Sequence, residues 1–123
     1  MTILKRLLSF LPFLLATHCT LNVNHLTGSW RAIGFYEEGH SIDTPLDSVL
    51  LWLEPGQQRY RFRSIGYYHE AGRLRVQDQL LYLTDTTVSP QQLRTVQVLF
   101  LSPDTLKLQM ADNGREQVLF LAR

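Results

Sequence analysis

Few residues in this chain have the chemistry to act as acids, bases, nucleophiles or ligands, and their spacing is sparse. His69-Glu70 follows Tyr67-Tyr68, His40 sits among Glu37, Glu38, Asp43 and Asp47, and His25 stands apart from both groups. A His-Glu pair at the mouth of a cavity could relay a proton. Gly66 before the pair and Ala71-Gly72 after it read instead as turns, which would leave both side chains in water. His40 in its acidic loop could take a metal ion only adventitiously. No His-x-x-x-His pair, cysteine cluster, Gly-rich phosphate loop or Gly-x-Ser-x-Gly elbow occurs, so metal, nucleotide and hydrolase chemistry each lack their minimum parts. The expectation is a protein that is not an enzyme, with no catalytic residue, no metal ligand and no cofactor.

The most regular polar pattern is basic. Arg59, Arg61 and Arg63 alternate with Tyr60 and Phe62, and Arg73 and Arg75 alternate with Leu74 and Val76. A spacing of two puts these arginines on one face of two strands and the apolar residues on the other. A charged outer face is the ordinary way to keep a half-buried sheet in water, although the same row would suit an anionic surface. The chain as a whole has no such bias. Its net charge is +1, from 12 basic and 11 acidic residues, and no Lys/Arg run exceeds two, which argues against nucleic acid as a partner.

The elements that must position these residues begin after the N-terminal segment. Residues 1–20 carry Lys5 and Arg6, an apolar run from Leu7 to Ala16, and then Cys19, the one cysteine. A charged start and a run of about ten apolar residues form an export signal, too short for the roughly 20 residues of a membrane span. Cys19 is placed where bacterial lipoproteins carry the lipidated thiol, with His18 standing where that pattern has Gly, Ala or Ser. Alternatively, cleavage near Ala16 leaves it as a free thiol. The protein is therefore expected outside the cytoplasm, in the periplasm or at the outer membrane, with membrane contact only through a lipid anchor.

From residue 24 onward the chain reads as a single all-β domain, since strand signals recur at short spacing and no window sustains an amphipathic helix. Strand A spans 28–36, with Trp30, Ala32, Gly34 and Tyr36 on its inner face. The longest connection runs from 37 to 48 and would act as a lid. Strand B (49–54) and strand C meet at the Glu54-Pro55-Gly56-Gln57 turn. Ala71-Gly72 marks a turn before Arg73, Gln77-Asp78 another, and further strands cover 79–84 and 93–101. Asp112-Asn113-Gly114-Arg115 carries the strongest two-residue hairpin signal. Counting back from it pairs Leu108 with Leu119, Leu106 with Leu121 and Asp104 with Arg123 on the inner side. Arg123 then needs a carboxylate, carbonyls or an aromatic face, and Asp104 and Trp30 are its candidate partners.

Gly28-x-Trp30 at the head of the first strand, a meander of about eight strands, a long first loop and an arginine on the last strand together resemble the lipocalin and calycin pattern. The spacing from Leu26-x-Gly28-x-Trp30 through Gly66-Tyr67 and Gly72 to Asp104-Thr105-Leu106-Lys107-Leu108 is similar to the short lipocalin-like domains of bacterial envelope lipoproteins, Bacteroidetes type. The resemblance covers nearly all of 24–123. It implies a small up-and-down antiparallel β-barrel, preceded by a signal peptide and closed at one end by a pair formed from Trp30 and Arg123. Two functions follow as expectations. Either the barrel holds a small hydrophobic ligand, lined by Tyr36, Tyr60, Phe62, Leu74, Leu106 and Leu108, or its interior is packed and it is an envelope interaction module whose outer residues Phe35, Trp52, Val118 and Phe120 meet a protein partner.

Overall fold

Period-two alternation carries most of the chain into strands, and the computed structural model, which describes residues 21–123, joins eight of them into one closed antiparallel barrel. Residues 1–20, with the expected export signal and Cys19, lie outside the described residues. A single helical turn, α1 (Val23–Leu26), leads into β1 (Gly28–Glu37), followed by β2 (His40–Ser41), β3 (Leu50–Glu54), β4 (Arg59–Arg63) and β5 (His69–Gln77). The remaining strands are β6 (Leu80–Asp85), β7 (Gln92–Leu101), β8 (Thr105–Asp112) and β9 (Arg115–Ala122). From β3 to β9 each strand pairs with the next; β1 pairs with both β3 and β9, and β2 is a short flap folded back on the end of β1.

The ring is not sealed evenly. Residues Gly28 to Arg31 ladder with β3, whereas Arg31 to Glu37 ladder with β9. Beyond Arg31 one further bond reaches the β3 side, from the Ala32 amide to the Val49 carbonyl at 3.1 Å. The chain from 38 to 49 leaves through this parting.

Register at the C-terminal hairpin is the one counted from Asn-Gly: Leu106 faces Leu121 and Leu108 faces Leu119. Asn113 and Gly114 both take the positive φ that a tight right-twisted hairpin demands. These leucines join Leu51, Leu53, Leu74, Leu81, Val96 and Val98 in a buried core of apolar side chains.

Three features depart from the sequence expectations. Ala71-Gly72 is not a turn but the middle of β5, and a Cβ at Gly72 would lie 1.8 Å from the Thr84 carbonyl oxygen. Glycine is required there because β6 passes too close for a side chain. Ile33 is an extra residue in β1, where the register against β9 shifts between Ala32 and Gly34. A bulge of this kind reverses which face each later residue occupies. Phe35, expected outside, therefore shares the inner face with Leu119, while Tyr36, expected inside, stands outside with its ring 5.1 Å from Phe120. The third departure is α1, whose Asn22 side chain caps the turn by accepting from the Asn24 amide at 3.1 Å.

Candidate functional site

The two ends of the barrel are built from different chemistry. At one end the helix α1 and the β3–β4, β5–β6 and β7–β8 connections gather around Trp30, which is fully buried and donates its indole N–H to the Leu26 carbonyl at 2.9 Å. The guanidinium carbon of Arg123 lies 4.1 Å from the Trp30 ring centroid. Its nitrogens donate to three backbone carbonyls, those of Pro103 at 2.8 Å, His25 at 2.6 Å and Thr27. The Asp104 carboxylate is not a partner of Arg123. It accepts instead from the Ser102 and Thr105 hydroxyls, which hold it below its ordinary range, and the strands meet there through the Arg123 amide and the Asp104 carbonyl. Gly28 completes the plug: its φ is +126°, and a Cβ on it would come within 2.7 Å of an Arg123 guanidinium nitrogen. All three nitrogens of the guanidinium are thus engaged by the protein itself.

The opposite end opens into a cavity of about 280 Å³. Phe35 of β1, Phe62 of β4 and Leu119 of β9 form its walls, and Thr44, Leu46 and Val49 of the 38–49 connection reach over it. Beneath it a void of only about 40 Å³ remains among Leu51, Leu83, Val96 and Leu108. Large aliphatic and aromatic residues fill the rest of the small barrel, so the space available to a ligand is at the mouth.

Polar groups cluster on the boundary between these two spaces. Glu70 is 1% exposed and projects inward from the first turn-length of β5, although the sequence places it in an exposed turn beside His69. The Tyr60 hydroxyl donates to its Oε2 at 2.5 Å and the Tyr68 hydroxyl to its Oε1 at 2.7 Å. The Arg94 guanidinium of β7 approaches Oε1 at 3.3 Å. A carboxylate can be buried only with such compensation, and here two phenols and one cation supply it. Burial first, then the bond to Glu70, pushes the Tyr60 phenol far above its usual range; the Tyr68 phenol is raised chiefly by its own bond to Glu70. Arg94 lines both the open cavity and the inner void, and among the described residues its polar partners are Glu70 and the Tyr68 phenol, fewer than its five donors could serve.

The residues expected to line a ligand space separate into four situations. Phe62 lines both spaces and Leu108 the inner one. Tyr60 lies beneath, its hydroxyl committed to Glu70. Leu74 and Leu106 belong to the packed core, and Tyr36 is on the outside. Phe35, Glu70 and Arg94 are the site residues that the sequence reading missed. Glu70 and Arg94 share parity with Leu74 and with Val96 and Val98, a signal overlooked because charged residues are seldom inward. His69 faces outward and Tyr67 is fully exposed, and among the described residues no three His, Cys, Asp or Glu side chains converge to hold a metal.

An eight-stranded antiparallel barrel, plugged under an arginine at one end and open over an apolar cavity at the other, has a lipocalin-like fold. The chain is similar to a lipocalin-like protein from Bacteroides uniformis ATCC 8492, with a TM-score of 0.60 and 14% identity over 80% of this chain and 98% of that one. At that identity the likeness speaks for the fold. No protein-family model matches the sequence, and no curated protein does.

Proposed function

We propose that this protein is a non-catalytic carrier or sensor that binds a small, largely apolar ligand at the open mouth of its barrel. The observation that carries the reading is the cavity of about 280 Å³, walled by Phe35, Phe62 and Leu119 and lined also by Arg94, the cation paired with the buried Glu70 of the void beneath. Such a space approaches the lower end of ligand pockets, about 300 Å³, and has their usual make-up of apolar walls with a few polar groups that fix orientation. Catalysis is not part of the proposal, because both oxygens of Glu70 are already engaged by phenols and a guanidinium. The N-terminal pattern of Lys5, Arg6 and the apolar run supports export, with Cys19 as the candidate lipidation site. Mass spectrometry of the native protein tests that part: an intact Met1 would refute export, and a diacylglycerol adduct on Cys19 would establish the anchor.

Binding itself is tested with the neutral probe N-phenyl-1-naphthylamine. Saturable fluorescence enhancement at one site per chain is expected, and Leu46→Trp, which fills the mouth from a loop, should weaken it at least about tenfold. Unchanged probe binding by Leu46→Trp would overturn the mouth as the site. A second reading rests on the outer face of β7, β8 and β9, where Phe100, half exposed, leads across Lys107 to Phe120. If Phe100→Ser and Phe120→Ser abolish capture of a protein partner while leaving the probe titration intact, the barrel is an interaction module instead.

A further inference from the structure

The arginines of β4 and β5 form a single file. Cross-strand register sets Arg63 opposite His69, Arg61 opposite Ala71 and Arg59 opposite Arg73, with Arg75 two residues further along β5. All five side chains are exposed on the outer face, so a line of guanidinium groups runs from the open toward the closed end, at intervals of roughly 7 Å and over about 20 Å. Like charges directly opposite one another, as Arg59 and Arg73 are, weaken a sheet. Within the described residues 10 basic groups meet 11 acidic ones, yet only Glu54 of the acids stands on the outer face of β3 to β6. Most of the others are gathered at the open rim, in Glu37, Glu38, Asp43, Asp47, Asp112 and Glu116.

Each arginine in the file is held in place. Arg61 and Arg63 lie 4.7 and 5.6 Å from the Trp52 ring centroid, and Arg75 lies 4.4 Å from that of Tyr82. Arg59 pairs with Glu54 at 3.0 Å, and Arg73 donates to the Gln91 side-chain oxygen at 3.0 Å. Ring faces fix a guanidinium without consuming its N–H groups, so Arg61, Arg63 and Arg75 keep donors available for a carboxylate or sulfate. The same contacts cover the aromatic faces on which nucleobases would have to stack, and they keep Trp52 and Tyr82 from inserting into a bilayer.

We propose that this file is a binding track for a linear anionic polysaccharide, whose repeated carboxylate or sulfate groups engage successive arginines. The track is separate from the cavity at the mouth, so either can fail without the other. Full-length protein is titrated at low salt with heparin and with polygalacturonate as sulfate and carboxylate probes. Binding is expected to at least one of them and to weaken as salt rises. Arg61→Gln/Arg63→Gln should lose about tenfold in affinity, whereas Lys107→Gln/Arg115→Gln, an equal loss of charge elsewhere, should lose less than about twofold. Circular dichroism and urea denaturation confirm that both variants are folded. Equal losses in the two variants, or no binding to either polysaccharide, would overturn the track. So would tighter binding to phosphatidylglycerol vesicles or to a single-stranded oligonucleotide, which would identify a different partner.

Discussion

Each end of the barrel carries an arginine on an inward-facing position, and the two are used in opposite ways. Arg123 covers an indole and donates to three backbone carbonyls, while Arg94 leans on one carboxylate and faces a cavity. At the closed end each of the three guanidinium nitrogens donates to a backbone carbonyl, and the result is a plug tied to the protein's own backbone. At the open end burial is complete for Glu70 but not for its cation, which is 43% exposed. A fold can thus hold its stability and its chemistry in separate places, one end satisfied internally and the other left with capacity to spare.

Three measurements would break or sharpen that contrast. Trp30→Ala should have the largest effect, a loss of about 3–5 kcal/mol in urea denaturation, since it empties a fully buried plug in a domain with a modest core. If the loss is below about 1 kcal/mol, the closed end is not what holds the barrel. Next, a double-mutant cycle of Trp30→Phe and Arg123→Met should give a coupling of about 1–2 kcal/mol, and strict additivity would show that the two side chains do not act together. The smallest effect lies at the open end and appears in alkali. Tyr60 has its pKa raised in the folded state above the ordinary value of 10.0, so the folded protein retains a proton that the unfolded chain gives up. Stability should accordingly fall as pH rises beyond about 10, by up to about 1.4 kcal/mol per pH unit. Tyr60→Phe should show a shallower fall between pH 9 and 11; equal slopes would mean that Glu70 and the core do not hold the phenol neutral.

Much of the architecture was legible because its signals are local. Asn113-Gly114 sets its hairpin through backbone conformation alone, and the leucines at 106, 108, 119 and 121 then fall on one face without further information. The all-β character followed from alternation and turns, and the up-and-down barrel from the resemblance to lipocalin-like domains. What failed depended on neighbours distant in sequence. Nothing in Ala32-Ile33-Gly34 announces a bulge, yet that one residue exchanges Phe35 for Tyr36 inside the barrel. Gly72 carries the same letter whether it makes a turn or lets Thr84 approach, and only the position of β6 decides. Glu70 looked exposed because its partners Tyr60 and Arg94 arrive from other strands, 10 residues before it and 24 after.

The divided pairing of β1 has a consequence for how the barrel moves. Closed rings of strands have no natural place to open, because every backbone group is already matched. Here the border between β1 and β3 carries a ladder only near the plug, and above Arg31 a single amide bond, from Ala32 to Val49, continues it. Local opening costs least where fewest such bonds must break. The barrel therefore behaves less like a cup than like a sleeve with a vent along one side, anchored at the indole and able to part beside Leu46 and Val49. Amide protons along that border should exchange with solvent sooner than those of the β8–β9 hairpin, and a guest longer than the cavity could leave its tail in the vent.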